Sequence, residues 1–384
     1  MTTDFDFAAL RRWPDIEADN LFASDASDRL ILETAAPLLD GSELVVLGDN
    51  YGALTLGALA TSAPASIRVH QDPLVGELAL AANAVDARLD GYTHYPLGEK
   101  LLSGATLVVL QVPKSLDELE EQLDAIARFA APSVVVIAGG RIKHLTPTMN
   151  PLMLRYFETL DVSLAQQKSR AFTLRGPLPV GESRFPVKEF HKDLGLWVAA
   201  HGAVFAGSGV DIGTRVLLGA MRKAAPEART AIDLGCGNGI VAAAIAHARP
   251  ELRVIATDQS AAAVASTRET ISANGLSDRV TVVRDDGLQG QPDASADLVL
   301  LNPPFHIGAV VHTGPAHRLF ADAARVLRPG GELWTVFNTH LGYRQTLARM
   351  VGPTDLVTHN AKFTVTVSHK PTSSPGHPQP AEKD

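Results

Sequence analysis

The chain has 384 residues, of which 46% are hydrophobic and 20% charged, enough for two domains each with its own core. No apolar run approaches the roughly 18–20 residues that cross a bilayer, which excludes a membrane-spanning helix. A single cysteine, Cys236, excludes an internal disulfide and any multi-cysteine metal site, and no metal ligand set is expected.

The opening segment MTTDFDFAAL is acidic and lacks the basic-then-apolar order of a signal peptide; with the single cysteine this gives a reduced, cytoplasmic setting as the expectation, and a monomer is expected. The net charge of −8 is unevenly spread: residues 1–150 hold 21 acidic and 10 basic residues, the remainder 21 and 24. Bases are dense between Arg141 and Lys192. Phosphate contacts depend on local basic surface, so the whole-chain sum does not exclude a nucleic-acid partner.

Along the chain one plan occurs twice. A buried strand, Glu43–Leu47, runs into a turn at Gly48–Gly52 and an Ala/Leu-rich helix over Ala53–Thr61. A later strand, LVVLQVPKS at 107–115, ends in a polar residue beside proline. A Gly- and Pro-rich linker is expected near Gly176–Val187. The plan then repeats as Thr230–Leu234, the turn Gly235–Gly239, a helix over Ile240–Ala248, and LVLLNPPFH at 298–306. Further strands are expected near 253–257, 280–284, 296–301 and 332–337. Two last ones, near 355–359 and 362–368, are too closely linked for a parallel crossover and so form an antiparallel edge.

Strands alternating with helices predict two tandem Rossmann-like α/β domains, each a mainly parallel doubly wound sheet with an antiparallel edge. The expected boundaries are 1–185, 186–370 and a disordered tail over 371–384, PTSSPGHPQPAEKD.

Asp233-Leu-Gly-Cys-Gly-Asn-Gly239 ends a strand and opens a helix, with Gly235, Gly237 and Gly239 free to turn tightly and approach a ligand. Cys236 and Asn238 belong to the same loop, Cys236 as a small packing residue. Asp258 closes the next strand, followed by Gln259, and a carboxylate there accepts both hydroxyls of a ribose. Asp233 suits a ligand carrying an amino group and a sulfonium and would repel a pyrophosphate. Ile240 stands where a dinucleotide fingerprint requires its last glycine. The combination points to S-adenosylmethionine over NAD, with Asp285, Asp286 and Gly287 placed to meet the adenine edge.

Asn302-Pro303-Pro304-Phe305 ends the fourth strand beside the transferable methyl. The Asn302 oxygen and the Pro303 carbonyl suit the two protons of a planar amine whose lone pair is delocalised. Holding that amine in line is a positioning role. The prolines stiffen the turn and leave its carbonyls free to accept, and Phe305 offers a face for stacking a base. His306 and His312 flank the site, where a histidine is either structural or functional.

With these residues in place, the second half resembles the bacterial ribosomal RNA guanine-N2 methyltransferases of the RsmC/RlmG group. VFAGSGVDIGTR, IDLGCGNG, LNPPFH, LRPGGELWTVFNTHLGYR and HNAKFTV occur in family order over roughly residues 200–370. NTHLGYR and HNAKFTV are closer to the large-subunit branch. The resemblance implies methyl transfer to a flipped-out guanine N2 of ribosomal RNA, 23S ahead of 16S, free or in a ribosomal subunit. It adds Lys362 and Phe363 to Phe305, His306 and His312 as candidate substrate-binding residues. It also implies an N-terminal copy that has lost its cofactor site and helps hold RNA. In keeping with this, Val46 stands where Asp233 would, Asn50 where Gly237 would, Gln71 opposite Asp258, and Gln111-Val112-Pro113-Lys114 replaces the catalytic motif. The residues alone leave open another planar amine (adenine N6, a protein glutamine, a small molecule), an RNA-binding assembly factor, and an NAD oxidoreductase.

Overall fold

A computed structural model describes residues 5–303 and 314–372. The tail expected from 371 falls, but for residues 371 and 372, outside them. The chain forms two compact units: Met1–Lys188 with Ala199–Gly207 and Gln259–Ser266, and Glu189–Val198 with Ser208–Asp258 and Thr267–Asp384.

The first sheet comprises β1 (Glu43–Leu47), β2 (Ser66–His70), β3 (Thr93–His94), β4 (Leu107–Gln111), β5 (Val135–Arg141), β6 (Phe157–Val162) and β7 (Ser169–Pro177). Its order is β3-β2-β1-β4-β5-β7-β6, with β1–β5 parallel and β6 and β7 antiparallel. The helices are α1 (Ala26–Leu39), α2 (Ala53–Thr61), α3 (Leu74–Ala87), α4 (Glu99–Leu102), α5 (Leu116–Phe129) and α6 (Met149–Met153).

After a two-stranded sheet, β8 (Val187–His191) and β9 (Leu196–Ala200), comes the second large sheet. It contains β10 (Thr230–Leu234), β11 (Arg253–Asp258), β12 (Val280–Arg284), β13 (Ala296–Leu301), β14 (Leu327–Asn338), β15 (Thr354–His359) and β16 (Phe363–His369). Its order, β12-β11-β10-β13-β14-β16-β15, repeats the first strand for strand. Helices α7 (Ile212–Ala220), α8 (Ile240–Ala248), α9 (Ala261–Ala273), α10 (Gly314–Val326) and α11 (Arg344–Met350) complete the second plan. The expected tandem α/β architecture is observed. The closely linked last strands are antiparallel, and β16 lies between β14 and the edge strand β15.

The central strands are apolar on both faces because helices cover both. In the second sheet Ala231, Leu298 and Leu300 enter one buried cluster with Leu217, Ile240 and Val241 of α7 and α8. Ile232, Leu234, Val299 and Leu301 enter the other, with Phe320 of α10 and Leu347 of α11. Full burial of each Leu, Ile or Val contributes about 1.5–3 kcal/mol. Strand alternation then fixes the site: Asp233 and Asn302 continue the Ala231 and Leu300 rows, on the α7/α8 face.

Candidate functional site

The site forms at the carboxyl ends of β10, β11 and β13, where the sheet order reverses between β10 and β13. Gly235, Gly237 and Gly239 hold φ of +75°, +55° and +79°. A Cβ on Gly239 would meet Thr267 at 2.9–3.0 Å, so this glycine lets the loop lie against α9. Cβ atoms on Gly235 or Gly237 would meet nothing within 4 Å, which leaves that backbone open to a ligand. Gly235 and Cys236 both donate to the Thr257 carbonyl, at 2.8 and 2.9 Å, pinning the loop to β11.

Asp233 is buried, and one carboxylate oxygen accepts from Ala242 N in the first turn of α8 at 2.9 Å. Burial pushes its carboxyl up to about 7, with neighbouring Asp258 adding to the effect. Asp258 is half-buried and its Oδ2 accepts from Gly237 N at 3.0 Å, which joins the expected ribose acceptor to the glycine loop. Cys236 is buried, and burial raises its thiol well above the usual range, so it stays a neutral packing group. Thr267 Oγ1 lies 3.2 Å from its sulfur. The Asn238 amide donates to the Gly209 carbonyl at 2.9 Å. Gln259 groups with the first unit, where its carbonyl accepts from Leu74 N at 2.9 Å.

At the end of β12, the Asp285 carboxylate accepts from Gly290 N at 3.0 Å, and Asp286 pairs with Arg318 at 2.5 Å. Gly287 has φ +65°, and a Cβ there would strike Asp322 at 2.4 Å. These residues are thus held by partners within their own loop and α10.

Asn302 carries the most informative geometry. Its Nδ2 donates to Asp211 Oδ2 and to Thr214 Oγ1, each at 3.1 Å. Its Oδ1 is a buried acceptor with no hydrogen-bond partner among the described residues. Pro303 beside it is buried. Pro304, Phe305, His306 and His312 lie outside the described residues. Lys362 is exposed, whereas Phe363 is buried in the core, its ring against Gly213 of α7. Among the described residues no group of three or more His, Cys, Asp or Glu is arranged to hold a metal ion.

These residues fit S-adenosylmethionine: an open glycine backbone, an acid at the next strand end, a buried acid with an elevated pKa, and an amide oxygen lacking a donor among the described residues. Comparison with known proteins agrees in two separate stretches. Residues 1–176 match the family model "RLMG N-terminal domain", and residues 195–367 match "Methyltransferase small domain". Over 383 residues the chain is 38% identical to ribosomal RNA large subunit methyltransferase G of Streptomyces avermitilis, covering 95% of this chain and 97% of that one. The chain belongs to the ribosomal RNA large subunit methyltransferase G family. The Pseudomonas putida member is 37% identical over 375 residues, covering 96% and 99% of the two chains. Among solved structures, the T. thermophilus 16S rRNA methyltransferase RsmC superposes with a TM-score of 0.74 at 21% identity, over 90% of this chain and 92% of that one. That likeness concerns the tandem fold.

Within this family frame the first copy shows what its substitutions do. Asp49, at the position of Cys236, accepts from Leu54 N at 2.6 Å and Thr55 N at 2.9 Å, so it braces α2 as Asp233 braces α8. Gln71, at the position of Asp258, is buried, with its amide nitrogen donating to the Asn50 carbonyl at 2.7 Å and the Gly76 carbonyl at 3.3 Å. Its amide is therefore turned inward onto its own backbone.

Sequence reasoning passed over Asp211 and Thr214. They precede Asn302 by 91 and 88 residues, so spacing gives no cue. The available signal was Asp211-Ile-Gly-Thr214, an acid three residues ahead of a threonine at a helix start: Asp211 caps α7, accepting from Thr214 N at 3.0 Å.

Proposed function

We propose that this chain transfers a methyl group from S-adenosylmethionine to the exocyclic N2 of a guanine in ribosomal RNA of the large subunit. The observation that carries the reading is the buried Oδ1 of Asn302, without a hydrogen-bond partner among the described residues and held at the strand end beside the glycine loop. The names of the relatives, and the guanosine and AdoMet present in the RsmC structure, support guanine and this cofactor.

Asp233, Gly235–Gly239, Asp258 and the Asp285–Gly287 turn are the residues that would hold the cofactor, which supplies an electrophilic methyl group on a sulfonium. Asp258 meets the ribose hydroxyls, and the Asp233 side of the loop favours positive charge over a pyrophosphate. Asn302 Oδ1 accepts one N2–H of the guanine, and the Pro303 carbonyl the other. Both acceptors favour the tetrahedral, partly positive nitrogen of the transition state over the planar amine, and the surplus proton then passes to water. A single preorganised group of this kind is worth about 10²–10³ in rate. Phe305 would stack on the extruded base, with His306 and His312 as further contacts and exposed Lys362 toward the RNA backbone.

The first unit, in this reading, holds RNA and performs no chemistry. Despite its acidic composition, Lys114, Lys143 and Arg141 lie near enough to His144 to act on its charge, as does Asp25, and Lys168 and Arg170 come from the neighbouring strand end. Arg141 pairs with Ser169, Gly140 pairs with Arg170, and Ile142 N donates to the Lys168 carbonyl. Burial, with Lys114 and Lys143, holds the His144 imidazole below the usual histidine range, which leaves it neutral. None of the five cations is ion-paired among the described residues, so the ridge suits phosphates. The chain acts in the cytoplasm as a monomer on this account; no described helix is long and apolar enough to cross a membrane.

The test is transfer of labelled methyl by the purified full chain onto large- and small-subunit ribosomal RNA from cells lacking the protein. Label in N2-methylguanosine of the large-subunit RNA supports the proposal. Label in adenine, or in protein alone, overturns it.

A further inference from the structure

We propose that Asp211 and Thr214 are positioning residues for the methyl transfer: together they set which end of the Asn302 amide faces the target amine. The inference rests on the reading of the preceding subsection and extends it to residues outside the nucleotide loop and the strand-end motif.

An asparagine amide is nearly symmetric in shape but not in chemistry. With its oxygen forward it accepts from an amine; turned by a half rotation, it presents its own N–H groups to the amine's N–H groups and repels them. The surroundings of Asn302 remove that ambiguity. The Asp211 carboxylate oxygen Oδ2 accepts, and it lies 3.1 Å from Asn302 Nδ2. The Thr214 hydroxyl could donate or accept, but its Oγ1 lies 3.4 Å from the same Asp211 Oδ2, which takes its proton and leaves a lone pair for Asn302 Nδ2 at 3.1 Å. Asp211 is itself fixed, because Oδ2 also accepts from Thr214 N at 3.0 Å and thereby caps α7. The amide is left with both acceptors behind its nitrogen and, among the described residues, nothing bonded to its buried oxygen.

A joint of the same build occurs in the first unit. Gln111, at the position of Asn302, donates through Nε2 to Ser27 Oγ at 3.0 Å and Asp28 Oδ1 at 2.7 Å, at the start of α1. The joint therefore also ties a strand end to a helix start where no transfer is assigned. A structural tie and an orienting one make different demands: the tie needs any bond, whereas the orientation needs an acceptor at each position. Isosteric and conservative replacements separate the two.

The experiment is steady-state methyl transfer by the full chain onto large-subunit ribosomal RNA from cells lacking the protein, with labelled S-adenosylmethionine. Thr214→Val keeps the shape and removes the lone pair; Thr214→Ser restores it. Asp211→Ala removes both cap and acceptor; Asp211→Asn keeps one oxygen, which can take the place of Oδ2 in both bonds. The expected result is a fall in kcat of about 10-fold for Thr214→Val and about 100-fold for Asp211→Ala. KM for RNA and Kd for the cofactor stay within about twofold, and both conservative variants recover most of kcat. Unchanged kcat in Thr214→Val and Asp211→Ala overturns the proposal, as does a Thr214→Ser variant as impaired as Thr214→Val. A wild-type chain that methylates no guanine in that RNA overturns the functional reading instead, and the positioning role with it.

Discussion

Replacing Asn302 by alanine separates a catalytic side chain from a structural one, because the structure assigns opposite energetic signs to its two ends. The nitrogen makes two hydrogen bonds, to Asp211 and Thr214, worth about 0.5–1.5 kcal/mol each in net stability. The oxygen is buried with no partner among the described residues, which costs the protein about 1–3 kcal/mol. Truncation removes gain and cost together, and Asp211 keeps its bond to Thr214 N. Stability should stay within about 1 kcal/mol of the parent, a Tm change of roughly 2–4 °C for a unit of this size. Cofactor affinity should hold, because the glycine loop and Asp258 are untouched. Methyl transfer, by contrast, loses an acceptor aimed at charge developing in the transition state, and single-turnover kcat should fall about 10²–10³-fold. Thermal melts, calorimetric cofactor titration and single-turnover transfer read the three quantities separately. Full transfer in Asn302→Ala refutes the assignment of the oxygen; a large loss of Tm shows that the side chain is chiefly a structural tie.

Further expectations concern the cofactor loop and the first unit. Asp258→Ala removes both a ribose acceptor and the partner of Gly237 N, and should weaken S-adenosylmethionine binding about 10–100-fold by calorimetry. Gly239→Ala forces a left-handed φ on alanine and presses its Cβ to within 3.0 Å of Thr267. A loss of about 2 kcal/mol is expected in denaturant titration. The Asp233 carboxyl titrates near 7, above its unfolded value of about 4, so its ionisation costs stability as pH rises from about 4 through about 7. Asp233→Asn, which keeps an oxygen for Ala242 N, should therefore be more stable than the parent at pH 8 and lose that advantage at pH 4. Bringing a sulfonium beside Asp233 should expel its proton. Calorimetry near pH 6.5 in two buffers of different ionisation enthalpy then shows proton release that Asp233→Asn lacks. Arg141→Ala and Lys143→Ala should each lower the dependence of RNA affinity on salt by about one unit of log–log slope, without altering cofactor affinity.

The duplicated plan was legible because both copies keep the same local rules. Glu43–Leu47 and Thr230–Leu234 are apolar runs stopped by glycine, and the helices that follow occupy Ala53–Thr61 and Ile240–Ala248 as expected. The edge pair was legible from its short connection. The start of β14 was not: Pro329-Gly330-Gly331 reads as a turn, yet the strand begins at Leu327, across a register shift opposite Ala296 and Leu298. Alternation in β13 carries Asn302 onto the α7 face, but the pairing of its amide with Asp211 joins residues 91 apart, which no periodicity reports. Phe363 illustrates the converse. A phenylalanine in a family motif beside a lysine suggests a surface for a base, whereas the fold uses it as core against Gly213. In the first copy Gln71 turns its amide onto its own backbone, while Asp49 keeps the brace on α2 that Asp233 supplies to α8.

The central claim, methylation of a guanine N2 in large-subunit ribosomal RNA, is tested most directly by mass spectrometry of that RNA from cells lacking the protein, beside the same cells complemented with the wild-type chain or with Asn302→Ala. One N2-methylguanosine should disappear, return with the wild-type chain, and not return to full occupancy with the variant. An unchanged nucleoside profile in the deletion would contradict it.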